Sequence, residues 1–316
     1  MHIIVSSFKR CVMRGIKRKF AEDSFQHIYQ NTMGGSLIFY TREDRLVYLT
    51  LFSVVAKEKG VVVIGLALMF DHIHSLIDTT TRRNMSLFIG EVTSRFVLAS
   101  NRDCGRHGPL FKKAFGNAAK VHPKKIRTCA IYLFNNSVEK KLFARAEQDR
   151  WNFLAYLDSD HPFSAPIDRR KASNKMKRAI REVDAFVDQN LPLSYSQLRR
   201  LYKGLNPDEE EQLTDYIISQ YLPIDKERLL SYFKGFDDLV IAVNANTGSE
   251  YDLKEDYDPD SHQVYREMIE IVKRSSFSND IKRILTLSEE RKKEIGEIMM
   301  HMTQAKWYQV RKFLQF

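Results

Sequence analysis

Two histidines two residues apart, His72 and His74, lie upstream of a helix-like segment that carries Tyr132 and Asn136. On a β-strand successive side chains alternate between faces, so His72 and His74 project together. On an α-helix residues four apart share a face, so Tyr132 and Asn136 project together. Two imidazoles and an amide oxygen can hold a divalent cation. A tyrosine hydroxyl one helical turn away can attack whatever that cation polarises. The chemistry this set suggests is a metal-assisted tyrosine nucleophile acting on a phosphodiester. Taken singly, a His-x-His on a strand is more often sheet decoration, and a Tyr-x-x-x-Asn on a helix is a common accident. The elements around them decide.

Residues 61–69 form a continuous apolar run rich in β-branched side chains, which predicts a buried strand. Phe70-Asp71 predicts a tight turn and residues 72–78 a second strand, with His72, His74 and Leu76 on one face and Ile73, Ser75 and Ile77 on the other. Asp71 can orient a histidine through its second ring nitrogen, or serve only as a turn residue. Residues 126–143 carry apolar side chains at a helical recurrence: Ile126, Ala130, Ile131, Leu133, Phe134, Val138 and Leu142. Lys112, Lys113, Lys120, Lys124, Lys125 and Arg127 lead into that helix. Such a run is usually a solvated face, but here it adjoins the candidate nucleophile, where phosphate binding would want it. Residues 25–40 predict strand, turn at Met33-Gly34-Gly35, and strand. Residues 41–59 predict a helix capped by Thr41, residues 86–100 a second helix, and 101–108 a glycine-bearing loop. The order β-β-α-β-β-α-α predicts an α+β fold, an antiparallel sheet with packed helices.

The block Met69-Phe-Asp-His-Ile-His-Ser-Leu-Ile77 resembles the Met-Pro-Asn-His-U-His-Leu-Leu-U block of single-tyrosine HUH transposases, U being hydrophobic. Tyr132-Leu-Phe-Asn-Asn136-Ser-Val-Glu-Lys-Lys-Leu142 resembles their Tyr-U-x-x-Asn-Pro-U-x-x-x-U block. His27-Ile-Tyr-Gln-Asn31 and Ile38-Phe39 look like the first strand and its return, and Gly108-Pro-Leu-Phe-Lys-Lys-Ala-Phe115 like the basic aromatic stretch between the blocks. The nearest subgroup is the REP-associated tyrosine transposases, which carry Asn on the tyrosine helix. The resemblance spans about residues 15–150. It departs where Pro-Asn becomes Phe70-Asp71 and Asn-Pro becomes Asn136-Ser137. These changes alter turn and helix-end geometry and leave a domesticated, non-catalytic copy open.

The resemblance implies a ferredoxin-like or RRM-like HUH endonuclease domain. It implies a cation, Mg²⁺ or Mn²⁺, on His72, His74 and Asn136, although two imidazoles would also suit zinc. It implies cleavage of single-stranded DNA near a hairpin through a covalent 5′-phosphotyrosine on Tyr132. Phe111 and Phe115 could stack on bases while Lys112 and Lys113 bind phosphates; alternatively both phenylalanines are core. Lys124, Lys125 and Arg127 extend the candidate DNA surface. The family contains monomers and swapped dimers, so both states stay open. Two other readings remain: a DNA-hairpin-binding regulator without catalysis, and a metal-dependent hydrolase that uses water.

The chain has 316 residues and a formal net charge of +10, which favours a polyanionic partner. Residues 1–150 hold 25 Lys and Arg against 12 Asp and Glu, a net +13, and the remaining 25 and 28 give −3. The basic character therefore belongs to the half with the candidate chemistry. Cys11, Cys104 and Cys129 show neither disulfide nor zinc spacing, which predicts a reducing, cytoplasmic setting, and the family resemblance implies one associated with the nucleoid. No apolar run is long enough to span a membrane, and no signal peptide is expected. Lys17-Arg18-Lys19 suits a basic arm or a solvated lead-in. Two domains are expected: 1–150 catalytic, and 151–316 a mostly helical accessory unit beyond a linker at 161–167. Helices are predicted at 168–190, 194–203, 207–221, 225–233, 260–274, 278–284, 288–301 and 303–315, with loops at 244–249 and 252–260. Residues 288–315 suit a helix-turn-helix with Gln304, Lys306, Gln309 and Lys312 facing outward, or a helical hairpin packed on its neighbours.

Overall fold

The computed structural model describes residues 20–22, 24–112, 115–245, 261–275 and 280–316. Cys11, the basic triplet at 17–19, Lys113 and the expected loop at 252–260 fall outside them. The order of the first elements is β1 (Phe25–Asn31), α1 (Arg42–Lys59), β2 (Val62–Leu68), β3 (His72–Asp78), α2 (Arg82–Cys104), β4 (Gly116–Lys120) and α3 (Pro123–Glu139). The four strands form one antiparallel sheet in the order β2-β3-β1-β4. The α+β expectation is borne out.

The strand order differs from the expected one in two places. Residues 36–40 form no return strand: the amides of Ile38 and Phe39 donate to the Phe70 carbonyl at 2.7 and 3.3 Å, and the run is buried as irregular chain beneath the start of α1. The fourth strand is instead β4, whose Gly-Asn-Ala-Ala-Lys sequence has little intrinsic strand preference. Pairing with β1 creates it. Gly116 faces Tyr29 across that pair, and a Cβ there would meet the Tyr29 ring at 1.8 Å, so only glycine permits this crossing.

Each face of the sheet has its own cover. Gln30 on β1 donates to Thr93 of α2 at 2.8 Å and accepts from Tyr48 of α1 at 3.4 Å, so α1 and α2 lie on that side. Their aromatic side chains interlock, Phe52 with Phe88 at 5.0 Å and Tyr48 with Phe96 at 5.2 Å. Each such pair contributes about 0.5–1.5 kcal/mol beyond its buried area. The opposite face carries His27, Tyr29, His72 and His74 and is covered by α3. There Gly65 of β2 lies under Leu133, 3.1 Å from where a Cβ would stand. Helix α1 begins with the expected Thr41 cap, reciprocated by Asp44.

Beyond residue 150 the chain is mostly helical: α4 (Asn174–Asp188), α5 (Tyr195–Tyr202), α6 (Pro207–Tyr221), α7 (Lys226–Leu230), α8 (Phe236–Asn244), α9 (Ser261–Lys273), α10 (Glu289–Met302) and α11 (Trp307–Leu314). Helix α8 was not expected, and the helix expected at 278–284 is a 3₁₀ turn at Ile281–Thr286. The hydrophobic core crosses residue 150. One cluster runs from Phe25 to Val243, and a second joins Leu37 and Tyr40 to side chains of α9, α10 and α11. The Asp225 amide donates to the Val63 carbonyl at 2.8 Å, which covers the outer edge of β2. Helix α11 packs inward: the Tyr40 hydroxyl donates to the Phe313 carbonyl at 2.6 Å. Gln309, expected on an outward face, is buried, and Lys312 lies over Gly35, while Gln304 and Lys306 are exposed. Among the described residues no helix is long and apolar enough to cross a membrane.

Candidate metal and nucleophile centre

Strand β3 presents His72 and His74 on the α3 face, their rings 4.9 Å apart between centroids. In register, His72 stands opposite Asn31 and His74 opposite Tyr29. One period along β1 is His27, whose Nε2 lies 3.0 Å from His74 Nδ1. The Asp71 carboxylate holds the other histidine, with Oδ1 2.6 Å from His72 Nδ1. The Nδ1 atoms of both rings are thus engaged by neighbours, so Nε2 is the nitrogen that would meet an ion.

Helix α3 crosses above. The Tyr132 ring lies 5.7 Å from the His74 ring and 6.0 Å from the His27 ring, and the residue is 4 % exposed. Asn136, one turn on, is 1 % exposed, and among the described residues neither its Oδ1 nor its Nδ2 has a hydrogen-bond partner. Leaving a buried amide so costs about 1–3 kcal/mol, which marks the position as unusual for a purely structural residue. A further turn on, Lys140 is buried and its charge reaches both His74 and His262.

The second half of the chain supplies His262. It sits at the start of α9, 2 % exposed, with Nε2 3.1 Å from Asp71 Oδ1. Asp71, His72 and His262 each offer one ligand atom within 4.8 Å of the others, a spacing that could hold a metal ion. Burial pushes the Asp71 carboxyl up, but His262 and His72 outweigh it and hold the group well below its usual range. Burial lowers the proton affinity of His74 far below the ordinary imidazole value, and the charges of His72 and Lys140 lower it further. Burial also lowers His262, against the pull of Asp71. Neutral His74 and His262 beside an ionised Asp71 are protonation states that suit ligation.

Of the other residues singled out in the sequence, Phe111 is in the core against Phe96 and Phe115 is half-buried at the core's edge. Lys112 is exposed. Lys124 and Lys125 are exposed in the first turn of α3, at the positive end of its dipole, where a cation is disfavoured unless something anionic neutralises it. Arg127 is paired with Asp238 at 3.2 Å and lies over the Phe233 ring. Sequence reasoning missed His27, Lys140 and His262 as neighbours of the centre. The first two had a signal: His27 shares the strand period of a matched segment, and Lys140 lies one turn past Asn136. His262 had none.

No family model and no curated protein matches this chain. A solved structure described as a REP-associated tyrosine transposase bound to a REP hairpin is similar over 45 % of this chain and 82 % of its own, at 13 % identity and a TM-score of 0.38. The likeness is a distant structural relation.

Proposed function

We propose that this protein is a metal-dependent strand transferase that nicks single-stranded DNA near a hairpin, with Tyr132 as nucleophile. The observation that carries the reading is the edge-to-face packing of Tyr132 against His74 and His27, with the Asn136 amide, unpartnered among the described residues, one turn further along the same helix face. The donor set fits a divalent cation: two imidazoles and an amide oxygen from His72, His74 and Asn136, with Asp71 and His262 beside them. Bound there, Mg²⁺ or Mn²⁺ would withdraw charge from the scissile phosphate.

The protein's own groups do the rest. Asp71 fixes the His72 ring and His27 the His74 ring, so both imidazoles are preorganised before substrate arrives. Tyr132 is held in the sheet-facing layer with little freedom to swing away. Its hydroxyl oxygen forms a bond to phosphorus as the bond to the 3′-oxygen breaks, the tyrosine proton is lost, and the 3′-oxygen gains one. The product is a 5′-phosphotyrosine and a free 3′-hydroxyl. Attack by another 3′-hydroxyl reverses the step and joins strands without a separate energy source. Lys112, Lys124 and Lys125 suit the approaching backbone, and the hairpin as substrate follows from the sequence resemblance.

The test uses labelled single-stranded DNA carrying a hairpin, with Mg²⁺ or Mn²⁺, resolved on a denaturing gel. A covalent protein–DNA adduct is expected, lost in EDTA. Hairpin binding without any adduct or cut would favour a regulator, and cutting that persists in Tyr132→Phe would favour a hydrolase.

A further inference from the structure

A cavity of about 890 Å³ is lined by Phe70, by the start of α1 and by α9, among other segments. Its wall holds Arg45, which is 8 % exposed. The Arg45 guanidinium lies among three aromatic rings, 4.8 Å from Phe70 and 5.3 Å from Phe39 and from Trp151. Its Nε has no hydrogen-bond partner, and no carboxylate among the described residues pairs with it. Other bases of the wall are matched: Arg42 by Glu210 at 3.1 Å and Arg150 by Glu211 at 2.6 Å. Asp44 and Asp149 act on Arg45 only through charge.

A buried, unpaired guanidinium is costly, and cation–π contacts of this kind return only part of that cost, about 0.5–2 kcal/mol each. A second cation aggravates it. Arg266, exposed on α9, lines the same cavity, makes one bond to the Leu142 carbonyl at 3.1 Å, and repels Arg45. Burial brings Arg45 down to about 10 against the pull of Asp149 and Asp44, with Arg266 adding a smaller lowering. The cavity wall also carries carboxylates, and Asp149 acts on both guanidiniums through charge, but among the described residues neither Arg45 nor Arg266 makes an ion pair, and two such groups facing one space suit an anion with several acceptor oxygens.

We propose that this cavity is a phosphate-binding pocket in which Arg45 and Arg266 grip one phosphate group. Its place suggests what the phosphate belongs to. Arg266 is one turn from His262 on α9, and Phe70, shared with the cavity wall, precedes Asp71. A strand crossing the candidate centre would carry its next phosphate toward the pocket; this attribution to DNA rests on the strand-transfer reading, whereas the pocket does not. A free nucleotide is the other source of the same chemistry.

The experiment is thermal unfolding of the full chain with inorganic phosphate or thymidine 5′-monophosphate, against sodium chloride at matched ionic strength. Both should raise the Tm of the wild-type protein above the chloride control. Arg45→Gln should abolish the shift, and Arg266→Gln should raise the concentration needed by about tenfold, the equivalent of one charge-assisted contact. No shift in the wild type, or an equal shift in Arg45→Gln, overturns the pocket. Should Arg45→Gln not fold, Arg266→Gln decides alone, because that side chain is exposed: an unchanged dose dependence overturns the proposal. Binding of a labelled single strand then separates the sources. A parallel loss in the variants assigns a backbone phosphate, and unchanged strand binding assigns a free nucleotide. Neither result depends on cleavage, so an inactive Tyr132 leaves the pocket's test intact.

Discussion

Asp44 and Asn136 are equally buried, at 0 % and 1 % exposure, yet their surroundings are opposite. The Asp44 carboxylate receives four donors: the amides of Tyr40 and Thr41 at 2.9 Å each, the Tyr195 hydroxyl at 2.7 Å and Lys282 Nζ at 2.8 Å. The Asn136 amide receives none among the described residues. At Asp44 burial alone would raise the carboxyl, but Lys282, Tyr195 and the Tyr40 amide outweigh it and lower it. A polar group so matched serves the fold, since it ties α1 to the 3₁₀ turn at Ile281–Thr286 and to α5. One left open is, on the proposed reading, a position that a bound cation would complete.

The sharpest way to break that comparison is at Tyr132. Tyr132→Phe removes one oxygen from the α3 face and should abolish the covalent adduct, lowering strand cleavage by about 10⁴-fold or more, as loss of a nucleophile does. Thermal stability should move little. A denaturing gel with labelled hairpin DNA reads the first outcome and a melting curve the second. Undiminished cleavage would remove Tyr132 from the nucleophile's role and favour a hydrolase that uses water.

Lys282→Met attacks the matched region. It strips Asp44 and Asp103, both buried, of their common cation, and breaking such a pair costs about 3–5 kcal/mol. The loss should appear as a lower urea midpoint at pH 7. The sign of its pH dependence follows from the shifts. Asp44 lies below its ordinary value when folded, so its stabilising share is complete above the normal carboxylate range and is lost as pH falls through the lowered value. Burial lowers Lys282, but Asp44 and Asp103 raise it more, so its share is complete below the ordinary lysine range and is lost as pH rises through the raised value. Wild type and variant should therefore converge in strong acid. A difference that stays constant from pH 7 down to pH 2 would contradict the assignment.

The two regions were not equally legible in the sequence. The His-x-His strand and the Tyr-x-x-x-Asn helix carry their own periods, and periodicity is a local signal; β3 and α3 accordingly occur where spacing puts them. The Asp44 knot is visible only as half of a capping box, since Tyr195 and Lys282 reach it from far along the chain. The same limit hid His262. Strand β4 was hidden for a different reason: Gly-Asn-Ala-Ala has no pattern to read, and its pairing with β1 is purely tertiary. Gln309 is an outward candidate only if residues 288–315 form a helix-turn-helix; its burial, with α11 packed against Leu37 and Tyr40, accords with the alternative of a packed helical hairpin.

His262 belongs to neither extreme, which makes it the discriminating residue between them. Its Nε2 is partnered by Asp71, whereas its Nδ1 has no hydrogen-bond partner among the described residues. If it supports the metal centre, His262→Ala should weaken Mn²⁺ binding by about 10–100-fold, the usual consequence of removing a ligand-orienting group. Isothermal titration with Mn²⁺ reads this without reference to cleavage. An unchanged affinity would make His262 a packing residue of α9 and return the centre to the first half of the chain alone.

The smallest effect is the most telling about why Asn136 is open. Asn136→Leu fills nearly the same volume and removes the unmatched amide. If the amide's only consequence in the resting protein is its lost hydration, the variant should gain about 1 kcal/mol of stability, the lower end of the penalty for an unsatisfied buried group. Cleavage should fall at the same time, less steeply for Asn136→Ala, whose cavity can admit a water in place of a neutral ligand. Stability and activity moving in opposite directions is the signature of a polar group kept for function. Urea unfolding and the adduct assay, run on the same two variants, measure both. If Asn136→Leu is instead destabilised by several kcal/mol, the amide is matched in solution by a partner such as ordered water, and its contrast with Asp44 disappears.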